Sequence, residues 1–208
     1  SGQLHANRWW IASFGVLLAA SLVLAVASGG LIAALYVFLG AFTYGIVYTV
    51  WLKRRTAWNI VVGGVAGSFA VLAGAAAVDP APQAAPLILA VVLFLWTPPH
   101  FWSLAAARRD DYAAADVPML PVTAPDRVWT LAILLHTAAL AILSLVPLHF
   151  GLGPIYGAAA ALGGGYFLWR SWQLFRTPSP TAAMRNFAAS LVQLSLLLAG
   201  IIVDGAVR

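Results

Sequence analysis

The chain has 208 residues, of which 62% are hydrophobic and only 8% charged, with a mean hydropathy of +0.92 and a formal charge of +5. A typical soluble domain carries about 25% charged residues. This composition excludes a soluble enzyme, a disordered chain and a nucleic-acid binder, and it leaves an integral membrane protein. The chain contains no cysteine, which excludes disulfides, thiol chemistry and thiolate metal sites.

Ser1 to Arg8 is polar, has no initiator Met and lacks the basic start of a signal peptide, so it reads like a chain entered partway through. Trp9 to Leu52 carries no charge over 44 residues, too long for one span, and Ser28-Gly29-Gly30 divides it into two helices of about 20 residues. Thr56 to Val78 is the third span, closed by the turn Asp79-Pro80-Ala81-Pro82. Pro86 to Ala107 is the fourth, and Pro98-Pro99 should break or kink it. Val128 to Trp169 is again charge-free and divides near Gly151-Leu152-Gly153-Pro154 into the fifth and sixth. Phe187 to Val203 is the seventh. No stretch alternates with period two, which argues against a β-barrel. The expected fold is all-α: a polytopic transmembrane bundle of seven spans forming one unit over residues 1–208.

The charges test the count. With seven spans, Arg8, Lys53, Arg54, Arg55, Arg108, Arg109, Arg127, Arg170, Arg176 and Arg185 share one side, against Arg208 alone on the other. The positive-inside bias makes the basic side cytoplasmic, with the C-terminus opposite. Ten of the eleven basic residues are Arg and Ala is abundant, a mild sign of a GC-rich bacterial genome.

No charge falls mid-span, which argues against an ion-coupled transporter. Polar chemistry concentrates in two loops of the basic side. Tyr48 to Asn59 (YTVWLKRRTAWN) sets three consecutive cations beside Thr56 and Asn59 at a helix start; this is either a plain topology signal or an anion site. Trp96 to Val122 (WTPPHFWSLAAARRDDYAAADVPMLPV) holds the adjacent carboxylates Asp110 and Asp111, either a solvated pair neutralised by Arg108 and Arg109 or a Mg²⁺ site. Cations in one loop and carboxylates in the other match the needs of a diphosphate–Mg²⁺ complex. His100 lies among Trp96, Phe101 and Trp102. A neutral imidazole there can ligate iron, donate a hydrogen bond, or simply be a satisfied interior residue. His136 reads as structural, and His5 and His149 as loop-edge residues. Gly63, Gly64 and Gly67 read as small residues that allow close helix packing.

YTVWLKRRTAWNIVVGG, LWTPPHFWSLA, RRDDYAAADVPMLPV and the closing SPTAAMRNFAASLVQLSLLLAGIIVD resemble the protohaem IX farnesyltransferase (haem O synthase) branch of the UbiA-type intramembrane prenyltransferases. The resemblance runs essentially end to end. It implies a nine-helix fold with two Asp motifs. This chain matches helices three to nine, with SGQL as the tail of the first motif's loop, and a fragment without that motif is expected to be inactive alone. By the same resemblance, Lys53 and Arg54 grip farnesyl diphosphate with Tyr48 and Asn59 close by. Asp110 and Asp111 hold Mg²⁺, Arg109 helps neutralise phosphate, and Lys53, Asp110 and Asp111 carry catalysis. His100 faces protohaem IX, the second substrate, either positioning it or ligating its iron. The implied setting is the lipid bilayer of a bacterial inner membrane, with no nucleic acid and with a haem-handling or oxidase-assembly protein as a candidate partner. Two positions depart from the family: Ala57, where Pro is usual, and Asp116, where Gly is usual. The rival expectations are a related enzyme acting on a quinone or chlorophyll-type acceptor, and a non-catalytic membrane subunit or small transporter.

Overall fold

A computed structural model describes residues 8–207; the opening SGQL, His5 and Arg208 lie outside the described residues. The chain forms α1 (Arg8–Phe42) continued by a π-helical stretch (Thr43–Leu52), then α2 (Asn59–Val78) and α3 (Ala84–Ala107). Two short helices follow, α4 (Arg109–Ala114) and α5 (Leu120–Thr123). The rest is α6 (Asp126–Leu143) with a 3₁₀ turn (Val146–Phe150), α7 (Pro154–Arg176) and α8 (Pro180–Ala206). There is no strand among the described residues.

Five segments are long and apolar enough to cross a membrane: Trp9–Leu52, Asn59–Val78, Ala84–Ala107, Asp126–Phe150 and Pro180–Ala206. The first, at 44 residues, would reach about 66 Å as one straight helix, roughly twice a bilayer core. It is interrupted at Gly30, whose φ of 79° and ψ of −178° only glycine adopts readily. That is where the SGG triplet predicts the division. α7 has crossing length at 23 residues but carries Arg170 and Arg176, which lower its hydropathy. With it, seven helical stretches of span length result. This is a multi-pass membrane protein.

Apolar burial does not drive helices together in lipid, so small residues and interhelical hydrogen bonds must. Both are present. The second half of the long first segment runs antiparallel to α2: Gly29 meets Ala77, Tyr36 stacks on Phe69, and Gly63 meets Tyr48. Gly64 and Gly67 let α3 approach through Thr97 and Leu93, as the glycine spacing predicts. A buried polar ladder then ties four helices. Ser171 Oγ lies 3.0 Å from both Thr137 Oγ1 and Asn186 Oδ1; Asn186 Nδ2 donates to Ser103 Oγ at 2.9 Å; Ser103 donates to the Pro99 carbonyl at 2.6 Å. Such bonds average about 0.6 kcal/mol each in membrane helices.

One expectation is corrected. Of the break or kink expected at Pro98-Pro99, the break does not occur, since α3 runs through both prolines to Ala107. Each proline removes a donor, but both lie buried against neighbouring helices, and protein packing tolerates such gaps at membrane depth.

Candidate active site

The loop between the first segment and α2 is built by unusual backbone geometry. Lys53 N–H donates to the Tyr48 carbonyl at 2.8 Å, an i→i−5 bond that ends the π-helical stretch. Such stretches often mark functional sites. The widened turn stacks Tyr44 and Tyr48 with ring centroids 5.6 Å apart. Lys53, half-buried, holds its Nζ 6.0 Å from the Tyr48 ring centroid. Asn59 is fully buried at the start of α2, and its Nδ2 donates to the Lys53 carbonyl at 3.2 Å. Its role is thus partly internal, pinning the backbone that carries Lys53. Its Oδ1 has no partner among the described residues. Thr56 accepts from Trp58 N–H within the turn, while Arg54 and Arg55 are exposed.

In the second loop, Asp110 and Asp111 occupy the first turn of α4, where a helix dipole favours carboxylates. Asp111 meets Arg108 at 3.8 Å with both side chains largely exposed, a pair worth little. Arg109 meets Asp126 at 3.4 Å, and Asp126 also accepts from Trp129 Nε1 at 3.0 Å. Asp110 lines a cavity of about 280 Å³ with Arg109, Asp126, Trp129 and Ser179. α4 is closed off by Asp116, two residues past its end, whose φ of 54° is left-handed. Val117 N–H reaches the Tyr112 carbonyl at 3.0 Å and Asp116 N–H the Ala113 carbonyl at 3.1 Å, the paired bonds of a Schellman motif. A Gly at this position would suit that geometry.

Both loops anchor in one apolar cluster. Ile60, Trp102, Ala105 and Val117 are among its buried residues, and Tyr48 from the first loop and Tyr112 from the second pack against it. The cation loop and the carboxylate loop therefore share one end of the bundle. Burial raises the Tyr112 phenol above its ordinary value, so it stays neutral near pH 7.

Beneath Tyr48 opens a mostly apolar cavity of about 300 Å³, walled by Tyr44, Tyr48, Gly63, Gly67, Trp96 and Phe101. Trp96 leads to His100, which is buried and stacked between aromatic rings. Trp96 lies 4.2 Å and Phe187 4.5 Å from it, with Phe101 edge-on at 4.9 Å. Trp96 Nε1 donates to the Ser190 carbonyl at 2.9 Å, and His100 Nδ1 meets Ser190 Oγ at 2.7 Å. Ser190 is a site residue that sequence reasoning missed, because nothing local links it to a histidine 90 positions earlier. Gln193, one turn deeper, was missed too. It is buried, its amide has no partner among the described residues, and it lines a cavity of about 90 Å³ that also touches Trp96. His136 is structural as expected, its Nδ1 held by the Ala132 carbonyl at 2.8 Å.

No cluster of three or more His, Cys, Asp or Glu gathers among the described residues. Two adjacent carboxylates nevertheless fit Mg²⁺, which takes one or two and fills its shell with water and phosphate oxygens. Asp110, exposed and without an ion pair among the described residues, is open to that role.

A model of the UbiA prenyltransferase family matches residues 1–197. Protoheme IX farnesyltransferase 2 of Paramagnetospirillum magneticum is 57% identical over 204 residues, covering 98% of this chain and 71% of that protein. Protoheme IX farnesyltransferase 1 of the same organism is 50% identical over 91% of this chain and 67% of its own length. The protoheme IX farnesyltransferase of Xanthomonas axonopodis pv. citri is 41% identical over 94% of this chain and 68% of its own. No solved structure matches the chain. The chain belongs to the UbiA prenyltransferase family.

Proposed function

We propose that this chain farnesylates protohaem IX, joining the farnesyl group of farnesyl diphosphate to a haem vinyl carbon with addition of water, to give haem O. The relatives named protoheme IX farnesyltransferase support the substrates. The observation that carries the reading is the Lys53 ammonium over the Tyr48 ring, at a mostly apolar cavity whose end of the bundle also holds Asp110 and Asp111.

Lys53 and Arg54 bind the diphosphate, and Asn59 holds the Lys53 backbone in place. Asp110 and Asp111 would hold Mg²⁺, which would neutralise charge on the leaving diphosphate. Arg109 stands beside them but shares its charge with Asp126. The allylic C–O bond breaks, its electron pair leaving with diphosphate. The terminal vinyl carbon forms the new C–C bond to the farnesyl C1. Water adds to the cation left beside the porphyrin and releases a proton. The faces of Tyr44, Tyr48, Trp96 and Phe101 offer π density to the allylic cation without trapping it covalently. The apolar walls keep water from that cation until the bond has formed. His100 faces the haem. In this reading the protein lies in a bacterial inner membrane with both loops cytoplasmic and the C-terminus opposite.

The test is mass spectrometry of haem extracted after membranes containing the protein, made from its complete reading frame, are incubated with protohaem, farnesyl diphosphate and Mg²⁺. A product heavier by one farnesyl group and one hydroxyl is expected. Unmodified haem, with farnesyl consumed only when a phenolic acceptor is added, would reject the haem assignment.

A further inference from the structure

A basic cavity of about 310 Å³ opens where α7 ends and α8 begins, and the proposed reaction leaves it unused. Arg170, Gln173, Thr177, Ser179, Thr181 and Arg185 line it. No acidic residue does, and neither arginine has a carboxylate within 4.0 Å among the described residues. Arg170 is already oriented: its Nη1 donates to Gln173 Oε1 at 2.8 Å, and its guanidinium lies 4.9 Å from the Trp169 ring centroid. The remaining donors of two guanidinia and the hydroxyls of Ser179 and Thr181 line one concavity, while Thr177 donates to the Gln173 carbonyl. That set matches a phosphate oxygen cluster.

We infer that this cavity binds the phosphate of an anionic phospholipid headgroup. The location selects a lipid over a soluble phosphate. Every lining residue belongs to α7, α8 or their connection, and none comes from the helices that wall the Tyr48 cavity. Trp169 and Trp172, each about half exposed, stand at the same helix end, with Arg176 stacked on Trp172 at 5.4 Å. Aromatic rings and arginines together mark the level of lipid headgroups, and basic pockets at helix ends there are known lipid sites. Ser179 also borders the cavity beside Asp110, so a bound headgroup would steady the wall of that site.

Native mass spectrometry of the detergent-purified protein, from its complete reading frame, tests the site. Phosphatidylglycerol and phosphatidylcholine of identical chains are compared. The protein should retain one phosphatidylglycerol at about tenfold lower lipid concentration than phosphatidylcholine. R170Q/R185Q should erase that preference with an unchanged melting temperature in detergent. Should the double variant fail to fold, R185Q alone serves, because Arg185 is exposed. R170K/R185K should keep part of the preference. Equal retention of both lipids by the unaltered protein, or full preference in the glutamine variants, overturns the site. Displacement of phosphatidylglycerol by millimolar inorganic phosphate overturns the lipid assignment and gives the cavity to a soluble phosphate.

Discussion

His100 and Ser190 meet at 2.7 Å between imidazole Nδ1 and serine Oγ. The serine hydroxyl has one proton, and Oγ lies 2.6 Å from the Phe187 carbonyl, which can only accept it. Ser190 must then accept from His100, which places the imidazole proton on Nδ1 and leaves the Nε2 lone pair bare. This tautomer suits iron ligation or acceptance of a hydrogen bond. His100→Ala is expected to abolish tight haem binding, and Ser190→Ala to weaken it about tenfold, the range for residues that orient a ligand. Titration of the purified protein with haem reads both effects. Equal affinity in His100→Ala removes the imidazole from the haem site.

The charge centres make a harsher prediction. Asp110→Ala and Lys53→Ala should each lower turnover by roughly a hundredfold or more, as loss of one group stabilising transition-state charge does elsewhere. Protein accumulation should not change, because Asp110 is exposed and Lys53 is only half-buried. Arg55→Ala, at an exposed neighbour, should turn over normally. Turnover by the two alanine variants at the unaltered rate would reassign both residues.

Gly63 separates packing from catalysis. A β-carbon there would lie 2.7 Å from Tyr48 Cδ2 and 3.1 Å from Cγ, closer than side chains pack. Alanine favours a helix by about 1 kcal/mol over glycine, so Gly63→Ala should fold. The Tyr48 ring must move, and it forms a wall of the proposed farnesyl cavity. The expected result is a severalfold fall in kcat/KM for farnesyl diphosphate at unchanged haem affinity. A loss confined to haem binding would show that the cavity does not receive the farnesyl chain.

Much of this was legible in the chain because composition and charge act locally. Trp9–Leu52 shows its division at Gly30 because a charge-free stretch of 44 residues cannot cross once, and only glycine tolerates that backbone. The Lys53 and Asp110 loops show themselves because charges cannot hide in spans. What stayed hidden depends on partners distant in sequence. Ser190 is unremarkable until α8 packs on α3, and Arg109 reads as a partner of Asp110, Asp111 or phosphate until Asp126 arrives from α6. The π-helical stretch carries no local signature, since Thr43–Leu52 reads as ordinary apolar helix. The prolines of α3 pointed to a break or a kink, and the break does not occur because neighbouring helices pack around the turn that loses its hydrogen bonds.

Asp116 tests the turn behind the carboxylates. Its left-handed φ costs an ordinary side chain about 1–2 kcal/mol, less for Asp and nothing for Gly. Asp116→Gly should therefore keep or slightly raise the melting temperature, and Asp116→Val should lower it by several degrees. Val117 and Tyr112 both pack on the cluster under the site, so Asp116→Val should also lower turnover. Equal melting temperatures for the two variants would mean that the turn does not need the left-handed conformation.

The far end of the bundle has its own brace. Asp204 on α8 is buried, and its carboxylate accepts from Gly153 N–H at 2.6 Å and Tyr156 N–H at 3.4 Å. Those donors belong to the start of α7, which has no side-chain cap of its own. Tyr156 then donates its hydroxyl to the Ser144 carbonyl at 2.6 Å, so one carboxylate fixes the junction of three helices. Asp204→Ala should cost about 1–2 kcal/mol, the range for a lost cap. Asp204→Asn keeps an acceptor and should cost less. Thermal unfolding in detergent reads this order, and Asp204→Asn falling as far as Asp204→Ala would show that the charge, not the hydrogen bonds, holds the junction.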